Sequence, residues 1–288
     1  MTARLNPSAH MHDLRWCFST LGCPELSLEL VCALAAEFDI HELEIRALSG
    51  RVDLPACASE FGWNAATVAN LLKQHRCKLV VAGSSFKLVG NTPEMRREFL
   101  DYCKWAETWG FPYVRVFGGG TWGQTLTMDD VSHAVETVDW LRSEQQSWDW
   151  KAEMLLETHD AFSASAPCEK LMARLDKPVG IIWDSHHTWR LGGESPSETW
   201  SRLSPWIRHV HVKDSIDKPS ARHPYTYVMP GEGQAPLGEI VGLLRENSFG
   251  GAISLEWEKL WHPYLPPLRS ALEKVRELSW FSTTQIPT

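Results

Sequence analysis

The stretch IRHVHVKD (207–214) decides the reading of this chain. Its side chains alternate strictly: His209, His211 and Lys213 share one face of a strand, with Val210 and Val212 on the other. Three more segments of strand character follow the same rule. KAEMLLETH (151–159) ends in Glu157, Thr158 and His159; VGIIWDS (179–185) ends in Asp184; GAISLEWE (251–258) ends in Glu256, Trp257 and Glu258. The intervening Leu156, Leu255 and Trp257 suit an apolar layer outside the strands. The acids and His211 would then face inward, where charge is costly unless it is paired or bound to a metal.

Working outward, short β-type runs alternate with amphipathic helical stretches. Strands are expected at 14–20, 41–47, 78–86, 113–118, 151–159, 179–185, 207–214 and 251–258. Between them fall helices near 27–39, 54–76, 92–109, from Thr127, 166–176, from Ser195, 236–247 and after 268. The helix starts carry their own signals: Thr92-Pro93, the Thr127/Asp130 pair and Ser195-Pro196-Ser197-Glu198. Eight strand–helix units in alternation imply parallel strands with helical crossovers, and eight favour closure into a single (β/α)8 (TIM) barrel over an open doubly wound sheet. The barrel is expected over 13–288, with residues 1–12 as a flexible tail.

Composition sets limits. The chain has 288 residues, close to the typical size of one such barrel, and a net charge of −8. That charge disfavours nucleic acid as a partner. No stretch has the length of a membrane span, the first residues lack a signal-peptide core, and the seven cysteines show no CxxC spacing. These features point to a cytoplasmic protein with reduced thiols. Fifteen tryptophans suggest a site or interface rich in flat apolar surface.

In a TIM barrel, chemistry gathers at the C-terminal strand ends. There Glu157, Asp184, His211 and Glu256 stand on four consecutive strands. Each has a plain reading on its own: a carboxylate paired with a barrel Lys or Arg, or a satisfied core histidine. Together they read as a binding site for one divalent metal. The oxygen-rich set suits Mn²⁺ first, with Mg²⁺, Co²⁺ or Zn²⁺ as alternatives.

The string HVHVKDS, the Asp184-x-x-His187 pair, the GEG at 231–233 and ISLEWE before the last helix resemble the xylose-isomerase-like barrel superfamily. That superfamily spans sugar isomerases, ketose 3-epimerases, inosose dehydratase and the endonuclease IV group. The resemblance covers about residues 13–280 and is strongest in the second half. It implies that Glu157, Asp184, His211 and Glu256 are the metal ligands and that Glu157 and Glu256 also move protons as catalytic base and acid. It implies that His187 hydrogen-bonds substrate. The expected activity is a sugar or polyol isomerase or 3-epimerase working through an enediolate, with a dehydratase-type lyase as the alternative. A DNA-repair enzyme would need more metal ligands and a basic surface. A non-catalytic sugar-binding protein is the remaining class.

Further expectations attach to single residues. Lys213 would contact substrate, neutralise Glu232 or form a plain salt bridge; Arg222 would bind substrate from its loop; Glu44 would pair with Arg46 or touch the sugar; His159 would line the pocket or orient Glu157. Gly118-Gly119-Gly120 would be a tight turn or an oxyanion cradle. A homo-oligomer is left open, and no nucleotide motif is present.

Overall fold

The computed structural model describes residues 14–278, and the tail expected at 1–12 lies outside them. Strands β1 (Arg15–Ser19), β2 (Glu42–Ile45), β3 (Lys78–Lys87), β4 (Tyr113–Phe117), β5 (Glu153–Glu157), β6 (Gly180–Asp184), β7 (Ile207–Val212) and β10 (Ala252–Leu255) close into one barrel. Going round it, the order is β1-β10-β7-β6-β5-β4-β3-β2, and every neighbouring pair is parallel. The expected (β/α)8 architecture is thus present, with its helices outside.

Local sequence explains the helix starts. Ser27 caps α1 (Leu28–Glu37) through Leu30 N–H, and Thr92 caps α4 (Pro93–Trp109) through Met95 N–H with Pro at the first turn. Thr127 and Asp130 form a reciprocal capping box at α5 (Met128–Trp148). The one-helix-per-strand expectation needs correction in two places. The 54–76 stretch is two helices, α2 (Leu54–Glu60) and α3 (Ala65–His75), because Asn64 caps a new start after Gly62. The β6–β7 crossover holds α7 (Ser185–Arg190) as well as α8 (Pro196–Leu203).

The core has two parts. An outer layer between strands and helices contains Leu156, Val210, Val212, Leu255 and Trp257, the alternate residues assigned there by periodicity, together with Trp183. A small inner plug of Cys17, Val80, Val81, Leu155, Ile182 and Ala252 fills part of the barrel interior. One step further along the same faces, Leu155 gives way to Glu157, Ile182 to Asp184 and Ala252 to Ser254 and Glu256. The barrel therefore changes from apolar to ionic toward its C-terminal end.

After β7 the chain forms a hairpin that the sequence did not suggest, β8 (Asp214–Ile216) with β9 (Thr226–Val228), before α9 (Leu237–Glu246). Asp214 latches this excursion. Its carboxylate accepts N–H bonds from Ser215, Gly231 and Ala235 at 2.9–3.0 Å, and from Gly233 at 2.9 Å. A Cβ on residue 233 would lie 2.1 Å from Asp214 Oδ1, so glycine is required for the close approach. The Asp214 and GEG motifs are therefore structural here. The Gly118–Gly120 run likewise reads as packing: a Cβ at 118 would collide with the Phe162 ring, and one at 119 with the Val89 carbonyl.

Since hydrogen bonds to a charged group are worth about 1.5–3 kcal/mol each, Asp214→Ala should lower stability by at least about 3 kcal/mol in urea unfolding. Asp214→Asn should recover part of that loss, and an unchanged midpoint for the alanine variant would count against the latch.

Candidate metal centre

Neighbouring strands β10, β7, β6 and β5 bring Glu256, His211, Asp184 and Glu157 to one point. In β-register Asp184 stands beside His211, and Glu256 N–H reaches the Val212 carbonyl at 3.1 Å. All four side chains are buried, and one potential ligand atom from each lies within 4.8 Å of the others. His211 Nδ1 is 3.4 Å from Glu256, 3.6 Å from Glu157 and 3.9 Å from Asp184. It makes no hydrogen bond within this buried cluster. A buried nitrogen facing three carboxylates is the donor set a divalent cation takes.

The orientation of His211 has a structural cause. Its other nitrogen, Nε2, is 2.9 Å from Glu44 Oε2 on β2, and the same oxygen is 2.9 Å from His209 Nε2. With Glu44 ionised, both imidazoles donate to it, which leaves His211 Nδ1 free to point at the carboxylates. Glu44 is thus a positioning residue below the cluster. It is fully buried, makes no ion pair with Arg46 and does not line the cavity, which corrects both expectations for it.

Two buried cations hold the acids in the described structure. Arg115 Nη1 lies 3.0 Å from Glu157 and 3.7 Å from Glu256. Lys213 Nζ lies 2.7 Å from Asp184, 2.9 Å from Glu258, and in close contact with Glu256. Lys213 therefore serves this cluster and not Glu232, which pairs with Lys274 at 3.3 Å. Burial alone would raise the Glu256 carboxyl, but His211 and Lys213 outweigh it and hold it well below its ordinary value. Burial dominates at Asp184 and pushes it up to about 6 against the opposing pull of Lys213. Burial also lowers His211, yet Glu256 and Glu44 overcome that and raise it.

Above the cluster opens a cavity of about 400 Å³ lined by Glu157, His159, His187, Arg222, Glu256 and Trp261 among others. A larger cavity of about 530 Å³, lined by residues such as Glu153, Gly180 and Arg208, lies at the N-terminal strand ends, the end of a barrel that serves stability. His187 N–H donates to Asp184 Oδ1 at 2.9 Å, and its ring lies 3.1 Å from the Thr158 carbonyl. Burial, then Lys213, keeps that imidazole neutral. His159 lies 2.9 Å from Asp160 and against His187, so it lines the cavity without reaching Glu157 as an ion-pair partner. Arg222 reaches the cavity, over Trp261. Sequence reasoning missed Arg115, and it missed the aromatic wall of His223, Tyr227 and His262. The alternation of YVRVF would have found Arg115; His223 and Tyr227 come from the unforeseen hairpin, and His262 from the segment after β10.

The chain belongs to the xylose isomerase-like TIM barrel family, whose description it matches over residues 33–280. Over 94 residues it is 37% identical to the C-glycoside deglycosidase alpha subunit of Arthrobacter globiformis, a stretch that is 32% of this chain and 22% of the relative. Among solved structures, it resembles the probable 3-DHS dehydratase AsbF of Bacillus anthracis with TM-score 0.77, at 17% identity over 94% of this chain and all of that one. The IolI protein, solved with a zinc atom, gives TM-score 0.73 at 17% identity over 94% and 100% of the two chains. At such identities these structures share the fold.

Removing the carboxylate that sets a ligand's tautomer typically costs 10–100-fold in metal affinity. Titration calorimetry of Glu44→Ala with Mn²⁺ should show a loss of about that size with the circular dichroism spectrum retained. Wild-type affinity in a folded Glu44→Ala protein would contradict the positioning role.

Proposed function

We propose that this protein is a divalent-metal-dependent sugar or polyol isomerase or 3-epimerase acting by proton transfer through an enediolate. The observation that carries this reading is the convergence of Glu157, Asp184, His211 and Glu256 at the floor of a cavity of sugar size. Mn²⁺ is the ion we assign, with Mg²⁺, Co²⁺ or Zn²⁺ as alternatives, and the substrate is a small polyhydroxylated ketone. A cytoplasmic setting and no nucleic-acid partner complete the reading, on the acidic net charge and the reduced cysteines.

Asp184 and His211 serve as ligands alone. Glu157 and Glu256 line the cavity as well as the cluster, so each can also hold a proton beside a bound carbon. One, entering as the carboxylate, takes the proton next to the carbonyl and keeps it, and the other, entering protonated, delivers its own proton to the carbon from the opposite side. Arg115, between the two, stabilises whichever carboxylate is ionised. Neutral His187 is placed to hydrogen-bond a substrate oxygen. The bound cation would polarise the carbonyl and offset the charge of the enediolate. Trp261 offers an apolar wall of the kind a sugar face packs on.

Elimination is the second reading. From the same enediolate, expulsion of a neighbouring hydroxyl in place of reprotonation gives a dehydratase. This reading draws support from one of the similar proteins, which is described as a probable dehydratase.

Incubation of manganese-loaded protein with ketohexoses and keto-inositols in D₂O distinguishes the two: deuterium in an epimer or isomer supports the first, and loss of water the second. Chelation should abolish turnover, and Mn²⁺ should restore it. Glu157→Gln and Glu256→Gln should each lower kcat by about 10²–10⁴-fold, the usual value of a positioned acid or base. Full turnover by both variants would refute the assignment.

A further inference from the structure

Arg46 sits one residue past the end of β2, at the cavity wall, and is 6% exposed. Its placement is built in. Thr20 Oγ1 accepts from the backbone N–H of Arg46 at 2.9 Å and of Ala47 at 3.1 Å. The arginine stem lies across Gly83 of β3, where a Cβ would come within 2.9 Å of Arg46 Cδ. The guanidinium then donates to Ser85 Oγ at 2.8 Å.

A buried guanidinium ordinarily has a carboxylate to balance it. Among the described residues, no carboxylate lies within ion-pair distance of Arg46. The acid that shares its strand face, Glu44, is taken up by His209 and His211. The acids of the cavity are engaged by other groups: Glu157 and Glu256 share Arg115, Glu256 and Glu258 share Lys213, and Asp160 has His159. Burial, reinforced by nearby Arg115, outweighs the longer-range pull of Tyr102, Glu157 and Glu256 and lowers the Arg46 guanidinium to about 10.

Arg46 is not alone on that wall. Its guanidinium carbon is 6.0 Å from the Trp261 ring centroid, and that of Arg222 is 5.7 Å from the same ring. Lys87 also lines the cavity and has no ion pair within reach among the described residues. The cavity thus combines a carboxylate-rich floor, held in part by Arg115 and Lys213, with a cationic wall whose groups make no ion pair among the described residues.

We propose that Arg46, with Arg222 beside the same Trp261, binds an anionic group of the substrate, a carboxylate or a phosphate monoester. This rests on the reading of the cavity as a sugar-converting site, and narrows its substrate to a sugar or polyol acid or phosphate. The planar guanidinium offers paired N–H donors that match either oxyanion. Anchored there, the substrate's carbonyl end would reach toward Glu157 and Glu256.

The test is calorimetry on the manganese-loaded full chain with three probes: D-glucuronate, D-glucose 6-phosphate and neutral D-glucose. At least one acid should bind about ten- to a hundredfold more tightly than glucose, the range for hydrogen bonds to a charged group. Which acid is preferred identifies the group. Arg46→Met should remove that preference with manganese stoichiometry unchanged, and Arg46→Lys should recover part of it. Should Arg46→Met fail to fold, Arg222→Met serves as the second variant and should weaken the same preference. Equal affinity for all three probes, no binding of either acid, or a preference untouched in the variants would overturn the proposal. Loss of manganese binding with an Arg46-dependent preference intact would instead overturn the metal-dependent function and leave the anion site standing.

Discussion

The structure depends on how a barrel interior accommodates Glu44, Glu157, Asp184, Glu256 and Glu258 within one small, largely buried space. Each buried carboxylate costs several kcal/mol in desolvation unless matched. Arg115 and Lys213 supply part of the match, and Glu44 is satisfied by the paired imidazoles of His209 and His211. What is left over is specific: His211 Nδ1 is presented to three acid oxygens and bonded to none. A divalent cation would complete that arrangement, and nothing in the packing of an apolar core would produce it.

The fold serves this arrangement in layers. The inner plug of Cys17, Val81, Leu155, Ile182 and Ala252 closes the barrel beneath the cluster, and so keeps water from approaching from below. The outer layer of Val210, Val212, Leu255 and Trp257 fixes the strand faces, since a slip of one residue would turn His211 outward. Asp214 then anchors the hairpin whose Tyr227 stands against Lys213, which links a loop latch to the wall of the cavity.

Much of this could be read in the chain itself. Period-two alternation placed Glu157, Asp184, His211 and Glu256 inward because strand geometry makes it so, and the helix caps at Ser27, Thr92 and Thr127 are local chemistry. What alternation cannot report is which inward groups meet. Glu44 and Arg46 share a face of β2, so an ion pair between them was the natural expectation. The closed barrel instead sends Glu44 to a histidine 167 positions away and leaves Arg46 to the cavity. For the same reason Glu232 was the wrong acid to expect beside Lys213, whose salt-bridge partners lie on β6 and just beyond β10. The hairpin escaped notice because its short strands sit in a Pro- and Ser-rich loop, held by one carboxylate and two glycines whose spacing has no periodic signature.

The central claim is that one divalent cation is held by these four side chains together. Crystals of the protein grown with Mn²⁺ and measured for anomalous scattering test it most directly. The account predicts one strong peak at about 2.0–2.6 Å from oxygens of Glu157, Asp184 and Glu256 and from His211 Nδ1. No peak there, or a peak bound elsewhere with Lys213 still bridging Asp184 and Glu256, would contradict it.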